Sequence, residues 1–387
     1  MKPLIAIDLF AGAGGLSTGL HDAGWKVPLA VEIEKDFAAT YRVNHPATMM
    51  LQRDIAHIDF ADAIRELGIR DGVDLVAGGP PCQGFSTVGK KDLCDPRNSL
   101  FGQFLRAVDE LQPRAVLFEN VAGFKTMYAG RVHDIVMNEL VDRGFDVQSF
   151  LLDAVDFGLP QLRKRMILMG ARGGVRVRRP EPTHSDLEML GLPGFVTVSE
   201  AISDLPPLGT ADSSDRYQTE PKTAYQAAMR GSAIELTEHN SSNYGPRMQT
   251  ILRSVPGGGS VLDLPEQLRP KGYFANTYAR LWGDRPAPTI TRNFGTPSSS
   301  RCIHPTQHRA LSTREGARLQ GFPDSYAFTG PKTSKNLQIG NAVPPLLARV
   351  LGDALAGVLA GKADKVGPKK ESKRQGRSHA HVVGVVR

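Results

Sequence analysis

The sequence predicts an α/β fold: a Rossmann-like domain of helices around a sheet, joined to a smaller, irregular domain. Over the first 170 residues, short apolar runs alternate with helical patterns, and this alternation is typical of a mostly parallel sheet. From about residue 180 to 300 the alternation stops, and Pro, Gly, Ser and Thr dominate. Right-handed crossovers then place the strand ends, and any ligand, at one edge of the sheet.

Each element of the first domain is predicted from its apolar pattern. Strands are expected at 4–10, 27–31, 74–77, 115–118 and 166–170. Helices are expected at 16–23, 37–44, 60–67, 99–111, 313–320 and 345–359. The last helix is apolar on most faces, so we expect it to pack against the first domain.

Composition excludes several classes of protein. The chain has 387 residues, 41% apolar and 22% charged, which excludes a wholly disordered chain. No apolar run approaches the roughly 18 residues of a membrane span, and the apolar run before Asp8 is too short for a secretory signal. Three cysteines, Cys82, Cys94 and Cys302, argue against a disulfide scaffold and for a reducing, cytoplasmic compartment. No CxxC spacing occurs, and no metal site is expected.

The net charge of +7 is unevenly distributed along the chain. The last 26 residues, 362–387, carry +6, and we expect this tail to be disordered. Two further stretches, 160–185 and 245–309, carry +6 each, while 1–159 and 186–244 sum to −7 and −6. The alternation fits a polyanion held along one side of the molecule, and it fits an ordinary solvated surface equally well.

A glycine-rich segment, 8–16, leaves the first predicted strand and enters a helix, so a ligand can approach its backbone closely. It is not the full dinucleotide fingerprint, because Ser17 stands at the third glycine position. Glu32 lies 20 residues after Gly12 and could accept hydrogen bonds from a ribose. Asp54 could bind an adenine amino group. Taken singly, each acid is better explained as an ordinary cap at a strand end.

Four polar residues fall where predicted strands end or begin. Cys82, on a Pro/Gly-rich loop, is placed like a nucleophile, although a lone cysteine is more often a small buried side chain. Glu119 could serve as an acid if half-buried, or could cap a helix near residue 121. Arg163 and Arg165 share one face of a strand and suit an anionic or carbonyl-rich ligand, or they protect a sheet edge.

These motifs occur in the order and type of a known family, and the chain resembles the bacterial DNA (cytosine-5)-methyltransferases. The resemblance covers nearly the whole chain apart from 186–275 and the tail. It is carried by Pro80-Pro81-Cys82-Gln83, Glu119-Asn120-Val121, Gln161-x-Arg163-x-Arg165, a hinge motif at 280–291 and closing motifs at 314–323 and 340–345. The run Gln83-Gly84-Phe85-Ser86 is typical of the DNA-modifying rather than the tRNA-modifying branch.

The resemblance implies methyl transfer from S-adenosylmethionine to C5 of a flipped-out cytosine within a short duplex DNA sequence. Cys82 would attack C6, Glu119 would contact N3 and the exocyclic amine, and Arg163 and Arg165 would contact O2. The base that removes the C5 proton is not evident in the sequence.

By the same resemblance, residues 1–185, completed by about 330–361, form the catalytic and cofactor-binding domain. Residues 186–329 form the target-recognition domain and hinge. The implied cofactor-binding residues are Phe10, Gly12, Ala13, Gly15, Glu32, Ile33, Asp54, Ile55, Pro80, Leu100, Asn341 and Val343. The candidate DNA contacts are Gln83, Ser86, Arg247, Gln249, Arg253 and Asn276.

Double-stranded DNA is therefore the expected partner of a monomer, and the family leaves room for a cognate restriction endonuclease. One alternative is an RNA cytosine methyltransferase, against which the long 186–275 insertion speaks. Another is a DNA-binding regulator without catalysis, against which the intact catalytic motifs speak. A dinucleotide-dependent oxidoreductase would not explain the Pro-Pro-Cys loop. The recognition sequence cannot be read from the chain.

Overall fold

The computed structural model describes residues 2–81, 100–186 and 191–361. Its central sheet has seven strands: β1 Ile5–Leu9, β2 Lys26–Glu32, β3 Met49–Gln52, β4 Leu75–Gly78, β5 Ala115–Val121, β6 Asp146–Asp153 and β7 Lys164–Ala171. Their order across the sheet is β3-β2-β1-β4-β5-β7-β6. Strand β7 lies antiparallel between β5 and β6, and the other strands run in one direction. The predicted, mostly parallel sheet is confirmed.

Helices connect and cover the strands. Their bounds are α1 Gly15–Asp22, α2 Lys35–Asn44, α3 Phe60–Glu66, α4 Leu100–Leu111, α5 Arg131–Asp142, α6 Val198–Ile202, α7 Ala224–Arg230, α8 Pro246–Ser254, α9 Thr313–Leu319, α10 Lys332–Asn341 and α11 Pro345–Leu359. The predicted elements did not include strands β3 and β6 or helices α5, α6, α7, α8 and α10. Five of the eight β6 positions are only partly buried, so its apolar alternation is weak.

Both faces of the sheet are buried, which explains why the inner strands read as continuous apolar runs. On one face, Phe118 of β5 lies at the centre of an aromatic cluster with Phe101, Phe104 and Phe124, whose ring centroids are 5.5–5.8 Å from its own. On the other face, α1 and α11 pack together over alternate residues of the same strands.

The predicted docking of the last helix is confirmed, because α11 packs against α1 through small residues. The indole of Trp25 donates a hydrogen bond of 3.0 Å to the carbonyl of Gly352. In the described part of the chain, the segment Lys332–Leu359 alone has the length and apolar composition of a membrane span. Half of its most apolar window is buried inside the protein, as in the core helix of a soluble protein.

The irregular region, residues 180–300, holds short helices and contributes strand β8, Ala279–Arg280, which pairs with β9, Arg301–Ile303. Outside this strand pair, some backbone groups of the region are satisfied by hydrogen bonds from side chains. The buried guanidinium of Arg280 donates to four backbone carbonyls, those of Leu252, Val255, His304 and Gln307. The arginine thus satisfies carbonyl groups that would otherwise be left unpaired in the interior.

Helix α9 is buried along its whole length although it carries three charged side chains. Arg318 forms ion pairs with Asp204 and Asp324, and Glu315 accepts two hydrogen bonds from Arg309 at 2.6 and 2.7 Å. Buried charges persist only when they are paired in this way. The ion pairs therefore fix where the irregular region sits against α9.

The close approach of α1 and α11 predicts a stability difference between two glycine substitutions. A Cβ atom at Gly19 would lie 2.5 Å from the Cβ of Ala348, whereas one at Gly357, on the same α11, meets nothing within 4 Å. We expect Gly19→Ala to lower the free energy of unfolding by about 1–3 kcal/mol through overpacking. Gly357→Ala should leave it unchanged or raise it by up to about 1 kcal/mol. Urea unfolding of both variants checks this; equal effects would contradict the helix contact.

Candidate active site

The reversed strand β7 brings the predicted basic motif to the carboxyl edge of the sheet. Its antiparallel register pairs Arg165 with Val121, so β7 starts where β5 ends. Glu119 lies two residues before that end and faces the same edge. A parallel β7 would have placed the arginines at the opposite edge.

Glu119 and Arg165 form a largely buried ion pair. The Nε atom of Arg165 lies 2.8 Å from Oε1 of Glu119, and each side chain is 12% exposed. Burial raises the pKa of the Glu119 carboxyl, and the charges of Arg165 and Arg163 partly offset that rise. Glu119 therefore retains a proton more readily than an ordinary surface glutamate.

Gly79 lets the loop after β4 pass directly over Glu119. A Cβ atom at this position would lie 2.8 Å from Oε2 of Glu119. Only a residue without a side chain fits, because the neighbouring atom belongs to the paired carboxylate. The loop that leads to Cys82 is thereby held against the acid.

Arg163 and Arg165, which sequence analysis gave the same role, have different environments. The side chain of Arg163 is fully buried, and burial lowers its pKa well below the ordinary value. Its Nη1 donates to the carbonyl of Ile290 at 3.1 Å, and its Nη2 donates to the carbonyls of Gly340 and Ala342 at 2.8 and 3.0 Å. These donors hold backbone, whereas Arg165 holds the acid.

Gln161 and Arg163 belong to the same buried hydrogen-bond network. Its side-chain oxygen accepts a hydrogen bond of 2.8 Å from the backbone of Ile290. Its amide donates to the carbonyl of Leu319 at 2.9 Å and to the side chain of Gln320 at 2.8 Å. The start of β7, the hinge motif and the closing motifs are therefore joined by one hydrogen-bond network.

A cavity of about 630 Å³ opens along the same edge of the sheet. Glu119 and Pro81 line it, so it reaches the acid and the cysteine loop. Ten predicted cofactor-binding residues also line it: Phe10, Gly12, Ala13, Glu32, Ile33, Asp54, Ile55, Leu100, Asn341 and Val343. Two others do not. Gly15 packs under the carbonyl of Val343, and the carbonyl of Pro80 accepts a hydrogen bond of 3.0 Å from Asn120.

The acids at the cavity also organise the backbone around it. Glu32 accepts hydrogen bonds from the backbone of Gly12 at 2.8 Å and of Glu34 at 2.9 Å. Asp54 caps a short helix by accepting from the backbone of Ala56 at 2.9 Å. The caps considered for these acids therefore exist, and both side chains still face the cavity.

Ser17 has a structural reason to stand where a dinucleotide fingerprint has glycine. Its hydroxyl donates to Oδ2 of the buried Asp8 at 2.6 Å and lies 2.7 Å from the hydroxyl of Tyr41. Burial raises the pKa of Asp8 to about 7. The other oxygen of Asp8 has no hydrogen-bond partner among the described residues, although Asp8 lines the cavity. Such a pocket fits a ligand that carries amino and hydroxyl donors.

The lining residues that sequence analysis did not assign to the site include Arg53, Arg292, Leu337 and Gln338. Arg292 is exposed, and its guanidinium has no hydrogen-bond or ion-pair partner in the part of the chain that the structure describes. Its position directly after the hinge motif, within the basic stretch 245–309, was the available signal. Leu337 and Gln338 belong to α10, a helix that the apolar pattern did not reveal.

Three predicted site residues, Cys82, Gln83 and Ser86, lie outside the described residues, as does the tail. Cys302 is described, and its environment is that of an inert thiol: it is buried, and burial raises its pKa to about 11. Within residues 2–81, 100–186 and 191–361, no group of three or more metal-ligating side chains occurs.

Among the candidate DNA-reading residues, Arg247, Arg253 and Asn276 are exposed. The side-chain amide of Gln249 instead donates to the carbonyl of Tyr244 at 2.7 Å, just before the helix α8 to which Gln249 belongs.

The charge of the stretch 245–309 overstates what a polyanion would meet. Of its nine basic residues, Arg280 and Arg309 are buried. Arg301 is engaged with backbone carbonyls, among them that of Gly258 at 2.7 Å.

A sheet of this strand order, with a reversed β7, a glycine-rich turn after β1 and a carboxylate at the end of β2, defines the class of S-adenosylmethionine-dependent methyltransferases. The family model of the C-5 cytosine-specific DNA methylases matches residues 4–357. The chain therefore belongs to that family.

Similar proteins align with this chain over most of their own length. Type II methyltransferase M1.HphI of Haemophilus parahaemolyticus is 36% identical, over 91% of this chain and 86% of its own. Type II methyltransferase M.AgeI of Thalassovita gelatinovora is 34% identical, over 90% and 98%. A putative DNA modification methyltransferase encoded within a prophage of E. coli superposes with a TM-score of 0.73 at 27% identity, over 92% of this chain and 99% of that one.

The family defines the reaction: a methyl group passes from S-adenosylmethionine to C5 of cytosine in DNA. Family members carry it out through a covalent intermediate with the enzyme. A sulfonium-bound methyl group is the chemistry that the cofactor supplies.

The different environments of the two arginines predict separable defects. Arg165→Lys should lower kcat by about 10²–10³-fold and leave the unfolding midpoint unchanged, because it removes a planar donor aimed at the site. Arg163→Lys should lower the free energy of unfolding by about 2–4 kcal/mol, because a lysine cannot reach all the carbonyl acceptors. Steady-state kinetics and urea unfolding of both variants check this. The reverse pattern would show that Arg163 is the one that contacts the substrate.

Proposed function

We propose that Cys82, Glu119 and Arg165 form the catalytic group and that Arg163 positions it. The observation that carries this proposal is the Glu119–Arg165 ion pair, 2.8 Å long, at the edge where the cysteine loop and the cavity meet. A carboxyl with a raised pKa beside a guanidinium offers a donor and an acceptor to the polar edge of a pyrimidine.

The chemistry requires all three groups. Cytosine C5 is a poor nucleophile until a thiolate bonds to C6 and makes C5 enamine-like. Negative charge then develops on N3 and O2 and must be stabilised as it forms. In the proposed arrangement Glu119 shares its proton with N3 and contacts the exocyclic amine, while Arg165 donates to O2. Once C5 has gained the methyl group, water or hydroxide takes the C5 proton, the electron pair of that bond reforms the C5–C6 double bond, and Cys82 leaves as the thiolate. The proton shared with N3 returns to Glu119, and the aromatic ring is restored.

The cofactor lies, in this proposal, in the cavity of about 630 Å³. Phe10 would stack on the adenine, with Asp54 and Ile55 at its edge. Glu32 would hold the ribose. The methionine part and the pocket wall would be formed by the other predicted residues that line the cavity, Gly12, Ala13, Ile33, Leu100, Asn341 and Val343.

Duplex DNA would bind across the exposed cations rather than across the whole basic stretches. Exposed basic side chains in the stretch 245–309 are Arg247, Arg253, Lys271, Arg285 and Arg292. Within 186–329, base reading is assigned to Arg247, Arg253 and Asn276, and to Gln249 once its hydrogen bond to Tyr244 breaks. Outside that range, Gln83 and Ser86 would also contact the DNA. Arg292 lines the cavity and would neutralise a phosphate beside the flipped cytosine.

The remaining assignments rest on the family. Residues 1–185 with about 330–361 would catalyse, 186–329 would read DNA, and the tail 362–387 would add non-specific affinity. The Type II names of the relatives support a cognate restriction endonuclease as a partner in the same system. We infer a monomer that acts in the cytoplasm, where its DNA substrate lies.

Methyl transfer from labelled S-adenosylmethionine to mixed-sequence duplex DNA, followed by bisulfite sequencing, tests the proposal. Protected cytosines within one short motif would support it and would give the recognition sequence. Transfer to RNA alone, or cofactor binding without any transfer, would contradict it.

Two cysteine substitutions provide a matched test of the nucleophile. Cys82→Ser should abolish methyl transfer, by at least about 10⁴-fold, because a hydroxyl is far less nucleophilic than a thiolate. Its DNA affinity should stay within about threefold of the wild type. Cys302→Ser should retain activity, because this thiol is buried and its pKa is raised. Gel-shift and transfer assays measure both; an active Cys82→Ser variant would overturn the assignment.

A further inference from the structure

The glycine-rich turn between β1 and α1 is held in place by a side chain from the far end of the sequence. The hydroxyl of Tyr326 donates a hydrogen bond to the carbonyl of Ala13. The same hydroxyl lies 3.3 Å from Nε2 of His45, which lies 3.3 Å from the hydroxyl of Thr18. Tyr326 is 4% exposed, so this contact is closed to solvent.

The packing around Gly14 shows how tightly the turn fits these two side chains. Gly14 has a φ of 95°, a conformation that favours glycine. A Cβ atom there would lie 2.7 Å from the hydroxyl of Tyr326 and 2.8 Å from Nε2 of His45. The backbone of the turn therefore cannot move toward α2 or the closing motif without displacing one of them.

Tyr326 itself is anchored elsewhere. Its ring packs against Phe322 and Phe328, with centroid distances of 4.7 and 5.3 Å, inside the hydrophobic core that α6, α7 and α9 share. Arg314 donates to the carbonyl of Tyr326 at 3.0 Å. The position of the tyrosine is thus set by the core of the irregular region and α9, and its hydroxyl transmits that position to the turn.

The imidazole beside it acts as a neutral partner. Burial lowers the pKa of His45 to about 4, so the ring is uncharged at neutral pH. Its centroid lies 4.6 Å from that of Tyr41, whose hydroxyl lies 2.7 Å from that of Ser17. Tyr326 and the hydrogen-bonded Tyr41–Ser17–Asp8 chain both adjoin the imidazole of His45 or the turn itself.

We propose that Tyr326 is a positioning residue for the cofactor: its bond to the Ala13 carbonyl holds the glycine-rich turn in the shape that binds S-adenosylmethionine. This inference rests on the assignment of the cavity as the cofactor site, which Ala13 lines. Tyr326 is not among the residues that line the cavity, so it would act only through the turn.

Tyr326→Phe keeps the ring and removes only the hydroxyl. Loss of one buried hydrogen bond that is needed for the binding conformation should weaken S-adenosylmethionine binding by about five- to tenfold. Isothermal titration calorimetry of the full-length protein without DNA measures the Kd. The KM for the cofactor should rise in parallel, while kcat at saturating cofactor and DNA affinity without cofactor stay within about twofold of the wild type.

Tyr225→Phe is the matched control. Tyr225 lies in the same core, and its buried hydroxyl also donates to a backbone carbonyl, that of Arg318 at 2.5 Å, away from the turn. We expect its cofactor affinity to equal that of the wild type. Equal weakening in both variants would mean that general destabilisation is the cause and would overturn the proposal. Unchanged affinity in Tyr326→Phe would also overturn it. A wild-type protein that binds no cofactor would instead refute the cofactor assignment beneath it.

Discussion

The buried pair Gln161 and Arg163 is the constraint on which the rest of the structure depends. Together they bind the hinge at Ile290, the end of α9 at Leu319 and the closing motif at 340–342. The buried guanidinium of Arg163 is stabilised because its two Nη atoms donate to backbone carbonyls. Since Arg163 directly precedes β7, the same contacts fix the start of the strand that carries Arg165 to Glu119. The same contacts therefore set both the geometry of Glu119 and the position of the irregular region.

The irregular region uses charge as internal scaffolding. Arg280 and Arg301 donate to backbone carbonyls outside any strand, such as those of His304 and Gly258. Arg318 binds two aspartates in the core. Composition counts these arginines as if they faced solvent. This is why a stretch with a net charge of +6 offers DNA only part of that charge. Burial, which sequence alone does not reveal, decides which arginines can meet a phosphate.

Local pattern was sufficient for strands β1, β2, β4, β5 and β7 and for ten of the twelve predicted cofactor-binding residues, which line the cavity. Glu32 and Asp54 were found because they follow apolar strands, and parallel strands end at one edge. Arg163 and Arg165 were found but not distinguished, because their difference lies in contacts with residues more than 120 positions away. Tyr326 was missed for the same reason: its partner Ala13 is 313 positions away. Long-range contacts of single side chains leave no periodic signal in the sequence.

The central claim is that a thiol on the loop after β4 attacks the cytosine beside the Glu119–Arg165 pair. Duplex DNA carrying 5-fluorocytosine at the recognised position tests it most directly, because fluorine at C5 cannot leave as a proton does. In the presence of S-adenosylmethionine, the account predicts a stable covalent complex whose peptide mass map places the adduct on Cys82. An adduct on Cys94 or Cys302, or methyl transfer that proceeds with no covalent complex, would contradict it.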